Sequence, residues 1–137
     1  MQSGAKPRSM SSVVLDASVI LAILFQERGA DKMTDEIMAG AVASSVNLAE
    51  VQSKLVKMGH DPDRAWKDAL LLESAPEPFT ADQAKTAGSL LAKTEKYGLS
   101  LGDRSCLALA IALNAPVYTT EQIWRNLNVG IPIHVIR

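Results

Sequence analysis

The stretch Val13-Val14-Leu15-Asp16 places the strongest constraint on what this chain can fold into. Three successive apolar residues, two of them β-branched and none alternating with polar neighbours, describe a strand covered on both faces, as inside a parallel sheet sandwiched by helices. A carboxylate has no place within such a strand, because an unpaired charge in apolar surroundings is costly to desolvate. Asp16 therefore belongs at the strand's carboxyl end, the edge where open α/β sheets bind their ligands. A second reading stays open at this point: Asp16 or Ser18 merely caps a helix that starts near Val19.

Strand and helix signals alternate along the rest of the chain. Residues 19–25 and 30–38 read as helices, the second with Ala30, Met33 and Ile37 on one face and Gly40 as its stop. Residues 41–43 form a short strand, and Ser44 or Ser45 starts a helix over 46–58 with Leu48, Val51, Leu55 and Met58 in one stripe. Asp61 before Pro62 is an N-cap followed by proline at the first helical position, opening a helix over 63–72. Its Trp66 reads as packing, within the chain or against a second subunit.

Residues 76–79 are an extended connector or short strand, followed by a Thr80-x-x-Gln83 capping box. The helix it opens carries Ala84, Ala87 and Leu91 inward and stops at Tyr97-Gly98. Residues 106–113 are apolar nearly all round, which marks a central buried helix. Val117 to Thr119 is another strand, Thr120 can cap a short helix holding Ile123 and Trp124, and residues 131–136 close the chain as a strand that Pro132 places at an edge or a start. The expected fold is a three-layer α/β domain over residues 12–137, with a mainly parallel central sheet and helices on both faces. The polar residues 1–11 are expected to be a disordered leader without the apolar core of a secretory signal.

Composition narrows the chemistry. With 14 basic and 15 acidic residues the net charge is -1, so no basic surplus announces a nucleic-acid partner, and a polyanion would have to be held locally, through a metal for instance. The single Cys106 has no partner within the chain and suits a reducing compartment as a buried, inert thiol. The longest apolar run, residues 19–25, falls well short of the roughly 20 residues that span a bilayer. A soluble, cytoplasmic protein is expected, with no membrane partner. Phosphate-binding loops, dinucleotide fingerprints, Cys/His clusters and G-x-S-x-G elbows are absent from the sequence. His60 sits in a turn and His134 in the terminal strand, which leaves carboxylates as the reactive groups.

Three further acids join Asp16. Asp103 lies on a helical wheel in line with Cys106, Leu107 and Ala110, the buried side of a buried helix; Ser100-x-x-Asp103 equally resembles a capping box. Glu50 precedes Lys54 by four residues and Glu121 precedes Arg125 by four, the spacing of ordinary surface ion pairs. As a set they say more. In a parallel sheet Asp16, the start of the Glu50 helix, the start of the Asp103 helix and Glu121 all fall on one carboxyl edge. Four carboxylates converging there raise one another's pKa unless cations share the site, and oxygen-only donors select Mg²⁺ or Mn²⁺ over zinc. One or two such cations suit phosphodiester displacement.

The pieces V-V-L-D-A-S at 13–18, S-S-V-N-L-A-E at 44–50, L-S-L-G-D-R at 99–104 and V-Y-T-T-E at 117–121, in that order, resemble PIN-domain nucleases, especially VapC-type toxins. The resemblance extends over residues 13–137. It implies a Mg²⁺-dependent endoribonuclease in which Asp16, Glu50 and Asp103 match the three core acids. Asp16 and Asp103 would be the principal metal ligands, and Glu50 would position or deprotonate the attacking water. Glu121 stands where the family commonly has Asp, with a longer arm that could reach a metal directly or through water. Ser18 matches the hydroxyl that supports the first acid, and Asn47 would be a supporting or substrate contact. Arg104 and Arg125 flank the acids as contacts to RNA phosphates or as local ion pairs. The resemblance further implies a cognate antitoxin laid over the acidic groove, and a homodimer with the Trp66 helix pair as candidate contact.

Two alternatives remain at this point. One is a catalytically silent PIN scaffold that binds RNA or protein. The other is a receiver-like phosphoacceptor domain, which expects an acidic pair after the first strand and a Lys near the end of the last; Asp16 stands between Leu15 and Ala17, and no such Lys is present.

Overall fold

In the computed structural model, which describes residues 12–72 and 76–137, the apolar run Val13-Val14-Leu15 is the middle of the sheet. Strand β1 (Val13–Leu15) is flanked by β2 (Ala41–Ser44) and β4 (Val117–Thr119), with β3 (Pro76–Glu77) and β5 (Ile133–Val135) at the two edges. All four pairings are parallel, Val14 lying opposite both Val42 and Val117. The order β3-β2-β1-β4-β5 reverses between β1 and β4, which makes their carboxyl ends the topological switch point of the sheet.

Side-chain alternation along β1 divides the core in two. Val13 and Leu15 face the layer of α1 (Ala17–Leu24), α3 (Ser45–Lys57) and α4 (Pro62–Ala69), packing with Val19, Ile20, Leu48, Val51 and Ala65. Val14 faces the opposite layer, where α7 (Leu101–Leu113) supplies Cys106, Leu107, Leu109 and Ala110. These are the two covered faces that an unbroken apolar strand requires. Trp66 is half-buried and packs against the first layer. No described helix is long and apolar enough to cross a membrane.

Several boundaries differ from the expected ones. Residues 30–38 are not one helix but a 3₁₀ turn over Ala30–Lys32 and a short α2 (Asp35–Met38), because Thr34 accepts from the amide of Ile37 and restarts the chain there. The segment after Thr80 is likewise divided into α5 (Ala81–Ser89), α6 (Leu91–Thr94) and a 3₁₀ turn over Glu95–Tyr97. Across that break Leu90 is the buried residue and Leu91 is exposed, contrary to the expected stripe. Helix α7 starts at Leu101, ahead of the apolar run that marked it, and ends on Asn114 in the left-handed conformation at φ 51. Thr120 does not cap the last helical turn: Glu121 holds that position before a 3₁₀ segment over Gln122–Asn126, in which Trp124 is buried and Ile123 exposed. The expected leader, 1–11, lies outside the described residues.

Candidate active site

At the switch point the chain assembles a cleft of about 290 Å³ whose walls include Asp16, Ser18, Glu50, Lys54, Asp103 and Glu121. All four acids expected at this edge are present, each delivered by a different connection.

Asp16 follows β1 and occupies the N-cap position of α1, yet its side chain bonds to no helix amide. The helix begins at Ala17, so Ser18 lies inside its first turn and the capping reading fails for both residues. Instead, Asp16 Oδ2 accepts from Ser18 Oγ at 2.6 Å and from Thr119 Oγ1 at 2.9 Å, and among the described residues no donor reaches Oδ1. Asp16 is 3% exposed. Burial pushes its pKa up to about 6, the Ser18 bond opposes that, and the nearby charge of Asp103 adds to it.

The hydroxyl pair is itself tied into the backbone. Ser18 Oγ accepts from the amide of Thr120 at 3.0 Å, and Thr119 Oγ1 accepts from the amide of Glu121 at 3.0 Å. Ends of β1 and β4 are thus laced together through side chains. Thr119 is a site residue that the sequence reading did not single out, although it stands in V-Y-T-T-E. The exposed Glu121 reaches the cleft from the residue after this lacing.

Glu50 does not form the ion pair that its spacing to Lys54 allowed. Asn47, one turn earlier on α3, donates Nδ2 to Glu50 Oε1 at 2.7 Å and to the Gly102 carbonyl at 3.1 Å. The carboxylate lies over Gly102: a Cβ built there would overlap Glu50 Oε2 and stand 2.6 Å from Cδ. Gly102 is the second residue the sequence reading left unassigned. Among the described residues Lys54 has no ion pair, and the Glu121–Arg125 pair that the spacing allowed is absent too.

Asp103 serves in both readings weighed for it. It closes a capping box, with Ser100 N donating to its Oδ2 at 2.9 Å and its own amide donating to Ser100 Oγ at 3.1 Å, and it lines the cleft. Arg104 is not on the cleft wall: its Nη1 donates to the Ala87 carbonyl at 2.9 Å and its buried Nε has no partner, so it ties α5 to α7. Cys106 lies buried on α7, its thiol pushed well above the usual range by burial and then by the charge of Asp16. His134 stacks on Tyr118 at the sheet edge and is not among the residues lining the cleft.

Among the described residues no three acids make a ready metal cage by themselves, so water would have to complete a cation's shell, as Mg²⁺ ordinarily requires. The donor chemistry fits a hard cation. The available groups are carboxylates, Asp16 keeps one oxygen without a protein donor, and the buried Asn47 Oδ1 lacks a partner.

The sequence matches the family model for the PIN domain over residues 13–129. Among curated proteins no relative matches. The fold is similar to that of VapBC2 from Rickettsia felis, solved bound to a DNA fragment from their promoter, at 17% identity and a TM-score of 0.70 over 91% of this chain and 98% of that one. It is also similar to VapC20 of Mycobacterium tuberculosis, a sarcin-ricin loop cleaving toxin, at 18% identity and a TM-score of 0.66 over 88% of this chain and 99% of that one. A toxin-antitoxin complex from Klebsiella pneumoniae shares the fold at 23% identity and a TM-score of 0.62, over 84% of this chain and 92% of that one.

Proposed function

Because the chain belongs to the PIN-domain family, we propose that it is a divalent-metal-dependent endoribonuclease and the toxin of a type II toxin-antitoxin pair. One observation carries this reading: four carboxylates from four separate connections converge on one cleft, and the most buried of them has its pKa raised to about 6. A fold gains no stability from such an arrangement, whereas a metal-dependent phosphodiesterase uses it to hold its cation.

Asp16 and Asp103 would hold the cation, with Glu121 reaching it directly or through water. When bound, Mg²⁺ or Mn²⁺ supplies Lewis acidity and local positive charge toward an RNA phosphate. The chain's residues do the rest. Ser18 and Thr119 fix Asp16 Oδ2 and so aim the second oxygen into the cleft. Asn47 holds Glu50 Oε1, leaving Oε2 to orient the attacking water and take its proton. Ser100 orients Asp103 through the capping box. Arg104 we assign to α5–α7 packing, and Ser18 and Asn47 to positioning, instead of to RNA contact.

A cognate antitoxin belongs to the same proposal, supported by the toxin-antitoxin assemblies that share the fold, and so does homodimerisation, with the half-buried Trp66 and its helix pair as the contact. The test is Asp103→Asn, which keeps an oxygen for the Ser100 amide. With unchanged circular dichroism, it should lose Mg²⁺-dependent cleavage of RNA by at least about a thousandfold. Undiminished cleavage would sink the mechanism. A calorimetric titration of the wild type with no specific Mn²⁺ uptake would leave the silent scaffold in its place.

A further inference from the structure

The cleft continues past the acids. A second hollow of about 370 Å³ opens beside it and shares Ser18, Leu21, Lys54 and Glu121 with it. Its size falls in the range of small-molecule sites, about 300–1,000 Å³. Phe25 and Met58 line this hollow alone, 40% and 59% exposed, so two large apolar side chains face solvent in one concavity.

The cations divide unequally. Arg137 is engaged, its Nη1 lying 3.1 Å from Glu27 Oε1 and 3.3 Å from the Arg28 carbonyl. Lys54 stands on the wall common to both hollows and among the described residues pairs with none of the acids; Glu50 is held instead by Asn47, which also donates to the Gly102 carbonyl. It is the unpaired cation among the residues lining either hollow. An aromatic ring, a flexible thioether and a free ammonium beside an acid cleft match the parts of one nucleotide. A base stacks on Phe25 whatever its identity, and its phosphate needs a cation that the acids do not supply.

We propose that the Phe25–Met58–Lys54 hollow seats the nucleotide adjoining the scissile phosphate of an RNA substrate. The inference rests on the nuclease reading of the neighbouring cleft. Phe25 and Met58 receive the base, Lys54 its phosphate, and the shared wall sets the spacing to the reacting bond. An apolar face and one cation give little sequence discrimination, so this subsite contributes affinity.

Phe25→Ala, Lys54→Ala and Lys54→Arg in the full chain test it, with a defined RNA oligonucleotide cleaved at several salt concentrations. Phe25→Ala and Lys54→Ala should each raise KM about tenfold while kcat and calorimetric Mn²⁺ affinity stay at the wild-type level. Lys54→Ala should also flatten the slope of log affinity against log salt by about one, and Lys54→Arg should restore it. Unchanged KM and slope in a wild-type background that cleaves would overturn the proposal. So would unchanged KM with weakened binding of the cognate antitoxin, which assigns the hollow to a peptide. If the wild type cleaves no RNA, the nuclease reading fails by itself. Anisotropy with the same oligonucleotide then decides the subsite: equal affinity of wild type and both alanine variants rejects it.

Discussion

The two walls of the cleft hold their acids by opposite means. On the strand wall Asp16 is buried at the end of β1, and hydroxyls from two distant segments grip one of its oxygens. On the helix wall Glu50 and Asp103 are half-exposed near the starts of α3 and α7, held by Asn47 and by the capping box. Hydrogen bonds on the helix wall also satisfy helix ends and join α3 to α7, so function and stability coincide there. The strand wall sets them against each other: a charge is kept where burial disfavours it.

The largest effect expected from this contrast is that of Asp16→Asn. It should reduce metal-dependent cleavage by at least about a thousandfold and yet raise the thermal midpoint at pH 7. Asp16 binds its proton more tightly in the folded chain, at a pKa of about 6 against an ordinary 3.8. Stability of the metal-free wild type therefore falls as pH rises through that window, and a penalty of about 3 kcal/mol stands in full above it. Thermal melts of both chains should separate at pH 7, converge below about pH 4, and draw together again when Mn²⁺ is added to the wild type. A less stable Asp16→Asn at pH 7 would contradict the contrast.

Gly102→Ala probes the helix wall. The new methyl meets the far end of the Glu50 side chain, which can swing aside, so the thermal midpoint should stay within a few degrees while kcat falls roughly 10- to 100-fold. A matching loss in the double variant Gly102→Ala/Glu50→Gln, no larger than in Glu50→Gln alone, would show that both act through one group. Thr119→Val should have the smallest effect, about tenfold on cleavage. It removes one of two hydroxyls on Asp16 and leaves the Glu121 amide without its acceptor. The same change should move the midpoint of the metal-free pH–stability curve upward, since a bond favouring the charged carboxylate is gone.

What could be read from the chain was whatever its physics kept local. The uninterrupted Val13-Val14-Leu15 run placed a central parallel strand, Asp61-Pro62 marked the start of α4, and Ser100-x-x-Asp103 is the capping box it resembled. The acids could be assigned to one edge because topology alone decides on which side a strand ends. What escaped depends on contacts across the chain. Thr119 matters only beside a carboxylate 103 positions earlier. Gly102 matters for an atom it lacks, and only because Glu50 lies in that space. The i,i+4 spacing of Glu50 and Lys54 left their pairing open, and Glu50 is held by Asn47, which also reaches the Gly102 carbonyl on α7. Helix breaks at residues 33–34 and 90 have similarly weak local signals, since a Thr or two adjacent leucines are compatible with continuation.

The lacing of Asp16 to Thr119 has a bearing on how the protein is made. On the ribosome Asp16 emerges 103 residues ahead of Thr119, whose hydroxyl steadies the carboxylate, and Glu121 follows beside it. Until then the first strand lacks β4 along one side and the acids cannot gather. The cleft is therefore a property of the paired segments, and no stretch of chain that stops short of Thr119 can hold it.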